Sequence, residues 1–96
     1  MVINLQELNE KSLDFLWIDG AEIHCPMPSV RFVNKVNRSE NTFEKANELA
    51  LEFLNTNKEK RVFTLDEVIE LSSVQLAAIL GAVVGVISEV DEHPNL

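Results

Sequence analysis

His24 and Cys25 are the one adjacent imidazole–thiol pair in the sequence, and Cys25 is its only cysteine. A thiolate nucleophile needs a base within hydrogen-bond reach. Neighbours on a strand point to opposite faces, so these two do not form a dyad with each other. The second histidine, His93, falls in an acidic tail. Cys25 therefore reads as a buried structural thiol. Zinc takes about four ligands at suitable spacing, which one cysteine and two histidines do not supply. The dipeptide Cys25-Pro26 matches the short Cys-Pro haem-binding pattern, a weak signal. A single cysteine closes no intramolecular disulfide. No acid sits in a recognisable general acid–base motif. The expectation is a non-enzymatic chain with no cofactor and no metal.

The most conspicuous polar feature is a column of acids at spacing four, Glu40, Glu44, Glu48 and Glu52. Like charges at that spacing cost a few tenths of a kcal/mol per pair on a helix. Such a column is either a solvated face or a docking surface for a basic partner. Glu44, Glu48 and Glu52 would be complementary to Arg31, Lys35 and Arg38 of a neighbouring copy, or to the basic loop 58–61. The second use defines one function class, a small acidic inhibitor of the DNA-mimic or anti-defence type that binds a basic protein surface. The formal net charge of −8 excludes non-specific binding to a nucleic-acid backbone, which needs a positive footprint.

Apolar chemistry is concentrated in Val74–Ile87, VQLAAILGAVVGVI. A membrane-spanning helix needs roughly 20 apolar residues, so this stretch reads as a buried helix rather than a holin-type span. Ala77, Gly81 and Gly85, flanked by Ala78 and Ala82, put small residues at spacing four, which lets another helix approach closely. A helix apolar on all sides needs cover on all sides, and 96 residues supply one modest core. Leu76, Leu80, Val83, Val84 and Ile87 are the expected partner-binding residues. A homo-oligomer or an obligate protein partner follows.

These segments need a scaffold, and the pattern predicts an α+β fold: one helix-dominated domain over 1–96, with an N-terminal hairpin packed on two main helices. A short helix is expected over 4–11, with Asn4 as cap and Glu7 three residues on. Residues 13–25 read as a hairpin around Asp19-Gly20. A two-residue type I′ turn there pairs Ile18 with Ala21 and Trp17 with Glu22. Leu16, Ile18, Ala21, Ile23 and Cys25 would then face the core, and Phe15, Trp17, Glu22 and His24 the other side. Pro26 and Pro28 end the second strand. Residues 29–38 fit a helix started by Ser29 or a strand, the helix being favoured. Residues 40–55 are the clearest helix, capped by Asn41 or Ser39, with Phe43, Ala46, Ala50, Phe53 and Leu54 as its apolar stripe. Val62-Phe63 reads as a short extended piece or a hydrophobic staple. Thr64 and Glu67 form a capping box that opens a second long helix, continuous to about residue 90. Residues 91–96 form an acidic tail. The start of the chain has no basic region followed by an apolar one, so no signal peptide is expected and the location is read as cytoplasmic.

The hairpin with its "IDG", the "PMPSV" that follows, the helix "FEKANELALEFLNTN", the basic turn and the "FTLDEVIELSSVQLAAILGAVVGVI" segment together resemble the tail assembly chaperones of long-tailed phages and prophages. The resemblance rests mainly on residues 42–87. It implies a mostly helical, self-associating, non-enzymatic protein of the host cytoplasm. Such a protein binds hydrophobic helices of the tape-measure protein and keeps them soluble until the tail tube forms. An exposed apolar groove on a highly charged body suits that role.

Overall fold

The computed structural model describes residues 2–8 and 11–91, with side chains at 2–7 and 11–85. Its elements are α1 (Leu5–Leu8), β1 (Ser12–Leu16), β2 (Glu22–Pro26), α2 (Val30–Arg38), α3 (Phe43–Leu54), α4 (Leu65–Ile69) and α5 (Ser73–Asp91). This is an α+β fold, a two-stranded antiparallel hairpin with several helices. No helix among the described residues is long and apolar enough to cross a membrane.

Asn4 caps α1 as expected, its Oδ1 accepting from Glu7 N at 3.1 Å. The helix is one turn long, and Lys11 is already non-helical. Residues 92–96, most of the expected tail and including His93, lie outside the described residues.

The hairpin forms where Asp-Gly places it, but one residue out of the expected register. Leu16 pairs with Glu22, Phe15 with Ile23 and Leu13 with Cys25. The turn is a three-residue loop. Gly20 N donates to Trp17 O at 2.9 Å and Trp17 N donates to Ala21 O at 2.8 Å. Gly20 has φ +91°, while Asp19 is not in the positive-φ region that a type I′ turn requires. Asp19 Oδ1 instead accepts from Ala21 N. A one-residue slip turns a strand over. Phe15 and Trp17 therefore face inward with Ala21, Ile23 and Cys25, and Leu16 and Ile18 are exposed.

Residues 30–38 are helical, with Ser29 Oγ accepting from Phe32 N. The cap of α3 is Thr42, not Asn41 or Ser39; its side chain accepts from Lys45 N. Phe43, the first helical residue, stays exposed, while Ala50, Phe53 and Leu54 are buried with Leu49. Asn57 is buried and satisfied. Its Nδ2 donates to Leu54 O and Arg61 O, and its Oδ1 accepts from Arg61 N. That closes the link to α4.

The capping box at Thr64 and Glu67 is present, and Phe63 and Val68, at the staple positions before and inside the helix, share one buried cluster. The long second helix is broken, however: α4 stops at Ile69 and α5 begins at Ser73. The cause is a second reciprocal cap. Gln75 N donates to Ser72 Oγ at 3.1 Å, and Ser72 N donates to Gln75 Oε1 at 2.8 Å. A new cap lets the chain change direction without orphaning backbone donors.

The core joins all these parts. Trp17, Ile23 and Cys25 come from the hairpin and Val33 from α2. Ala50, Phe53 and Leu54 come from α3, and Leu76, Ile79 and Val83 from α5. Phe53 meets Phe15 edge-on at 6.3 Å and stacks on Phe32 at 5.7 Å.

Candidate functional site: the open face of the last helix

Helical spacing sorts the side chains of α5. Leu76, Ile79 and Val83 recur at three and four residues and are buried against the hairpin, α2 and α3. The partner-binding set expected from sequence is thereby divided. Leu76 and Val83 are core residues, because one face of α5 must close the domain. Leu80 and Val84 are half-buried. The side chain of Ile87 lies outside those described.

The opposite face is Val74, Ala77, Ala78, Gly81 and Gly85. Val74 is 76% exposed. Ala77, Ala78 and Gly81 are exposed and Gly85 is half-buried. A Cβ added at Gly81 or Gly85 would meet nothing within 4 Å. Among the described residues, then, no element packs closely on Gly81 or Gly85. Both flanks of this face are apolar grooves. One, of about 280 Å³, runs between α5 and the hairpin and includes Leu16, Ile18, Leu71 and Ala78. The other, of about 400 Å³, lies between α5 and the start of α3 and includes Phe43, Ala46, Ala77 and Leu80. Exposed Leu16, Ile18 and Phe43 extend the apolar surface beyond the helix. Sequence reasoning placed Leu16 and Ile18 in the core, so it missed their part in this surface.

The electrostatic candidates are largely tied down within the chain. Lys35 Nζ lies 2.7 Å from Glu52 Oε1, and Lys45 Nζ lies 3.4 Å from Glu48 Oε2. Glu44 and Arg31 are exposed and, among the described residues, unpaired. Two of the three expected docking carboxylates, Glu48 and Glu52, are therefore paired within the chain. The loop 58–61 is not wholly solvated either. The Arg61 guanidinium stacks 4.7 Å from the Phe63 ring and 5.8 Å from that of Trp17, and it pairs with Asp19 and Glu67.

The thiol and imidazole point apart, as alternation requires. Cys25 is fully buried, and burial pushes its thiol up to about 11, so it is no thiolate near neutral pH. His24 faces outward. Its ring binds the Glu59 carboxylate, and its backbone N donates to the same side chain at 2.9 Å. The Glu59 hydrogen bond, helped by the charges of Asp14 and Glu22, raises the His24 pKa above its usual value. The His24 backbone and ring hold the Glu59 carboxyl below its usual value. No group of three metal-ligating side chains occurs among the described residues. Comparison with known protein families, curated proteins and solved structures gives no match to this chain.

Proposed function

We propose that this chain is a non-enzymatic assembly chaperone of the phage tail type, which self-associates and holds hydrophobic helices of a tape-measure protein soluble. The observation that carries the reading is the open face of α5. An apolar helix presents small residues outward between two apolar grooves, and among the described residues nothing lies within 4 Å of a Cβ built at Gly81 or Gly85. Close approach of helix backbones is what such a face permits. The −8 charge supplies the solubility that a complex with an apolar client needs. The resemblance of residues 42–87 to tail assembly chaperones supports a tape-measure helix as the client. The inhibitor reading loses ground because Glu48 and Glu52 are already paired to lysines of the same chain.

The test is co-expression with an apolar helical fragment of a tape-measure protein. The fragment is expected to stay in the soluble fraction and co-purify with the wild-type chain. Gly81→Lys, at an exposed position with no atom near its Cβ, is expected to fold normally and lose the fragment. A fragment that precipitates equally with and without the wild-type chain overturns the proposal.

A further inference from the structure

The two edges of the hairpin are not alike. Pairing in an antiparallel ladder alternates, so every second residue turns its N–H and C=O outward. On β2 the outward residues are Glu22 and His24; at the centre of the strand, both main-chain groups of His24 are used. Its N–H donates to Glu59 Oε1 at 2.9 Å, and its C=O accepts from Lys58 N at 2.7 Å. On β1 the outward residues are Asp14 and Leu16, opposite His24 and Glu22. Among the described residues no main-chain group meets them. This open edge lines the groove between the hairpin and α5, whose far wall is Leu71, Gln75 and Ala78. A strand edge beside a helix is a site for an added strand, with main-chain hydrogen bonds giving affinity and the groove taking alternate side chains. A two-stranded sheet gains most from a third strand.

The chain carries a segment that suits this edge. Val2–Asn4 is neither helix nor strand and bears no side-chain charge; Val2 and Ile3 make no main-chain hydrogen bond among the described residues, and Asn4 leads into α1 as its cap. Val2 is 92% exposed and Ile3 is 68% exposed. Asp14 is the one charged residue lining the groove, so an uncharged aliphatic strand is the fitting occupant, all the more where both copies carry −8. Two other apolar stretches suit the edge less well. Pro26 and Pro28 lack N–H groups, and Phe63 N is already bonded to Asn55 Oδ1.

We infer that Val2–Asn4 of a second copy adds to the open edge of β1, with Ile3 in the groove against α5, in a reciprocal two-fold exchange. Reciprocity closes the assembly as a dimer. The exchange fills the groove between the hairpin and α5 and leaves the groove beside α3, with Ala77 and Leu80, to a client.

The experiment is sedimentation velocity of the full chain over a concentration series, with amide exchange of Asp14 and Leu16 followed by NMR. The wild type is expected to dimerise with concentration, and the two amides to become protected as it does. The double substitution Val2→Lys and Ile3→Lys changes only exposed side chains outside the core. It is expected to raise the dimer dissociation constant at least tenfold and to leave both amides fast-exchanging. Client retention in the co-expression assay should be unchanged. A dimer that survives the double substitution overturns the inference. So does a wild type that stays monomeric, or protection of Asp14 and Leu16 that is independent of concentration, which would place the segment on its own edge.

Discussion

At the scale of single residues, the two groups most suggestive of catalysis do structural work. Cys25 is buried among apolar side chains, and its thiol titrates at about 11. The native protein is expected to react negligibly with a thiol reagent at about pH 8, where a free cysteine is partly ionised. Full reaction should appear only in denaturant. His24 ties β2 to the loop after α3 through Glu59. Its pKa is raised in the folded state, so its contribution is complete below the unfolded value near 6.5 and is lost as pH rises through the higher folded value. Glu59 is depressed; its contribution is present above the unfolded value near 4.5 and is lost as pH falls through the lower folded one. The tie is therefore fullest in mildly acidic solution. His24→Gln should lower Tm more at about pH 6 than at about pH 9, and an equal drop at both would show that the charge is not used.

At the scale of elements, the break between α4 and α5 rests on four residues. Ser72-Ser73-Val74-Gln75 is a second capping box, eight residues after the one at Thr64. Loss of a capping side chain costs about 1 kcal/mol. Ser72→Ala should therefore lower the unfolding free energy by about that amount in urea titrations, with Ser73→Ala, whose side chain makes neither capping bond, as the near-neutral control. The Ser-x-x-Gln signal was legible in the sequence, but the apolar run across it suggested one continuous helix. Helix starts at Ser29 and Thr64 were legible because a short side chain satisfying a free N–H is a local event. The hairpin register was not. Asp19-Gly20 serves a two-residue and a three-residue loop, since both place Gly20 at positive φ. The choice was made by what Trp17 and Phe15 meet once the chain closes. Trp17 packs on Phe63 at 4.7 Å and Phe15 on Phe53, residues more than 35 positions away. The same long-range closure put Leu16 and Ile18 outside and gave the α5 surface its flank. Likewise, the small residues of α5 were visible as a stripe, but whether the stripe was filled depended on how α3 and the hairpin cover the helix.

At the scale of the whole molecule, charge and apolar surface are segregated. Residues 28–38 carry three bases and no acid, and residues 62–96 carry six acids and no base. The exposed apolar surface, comprising the α5 face, Leu16, Ile18 and Phe43, sits on a body with a net charge of −8. Two such bodies repel at long range and attract only on contact. The Debye length falls from ~30 Å at ~0.01 M salt to ~8 Å at ~0.15 M. Repulsion between copies is then largely screened, while burial of apolar surface is little affected. Association of the chain with itself should therefore strengthen as salt rises over that range, visible as a falling dissociation constant in sedimentation runs. Pairing held mainly by Glu44, Glu48 and Glu52 against Arg31 and Lys35 of a neighbour would move the other way, because screening weakens attraction between unlike charges as it weakens repulsion between like ones. The sign of the salt dependence thus separates an apolar assembly surface from an electrostatic one. The internal pairs Lys35–Glu52 and Lys45–Glu48 leave few free charges to hold a neighbour on that face, and on that ground the dissociation constant should fall with salt.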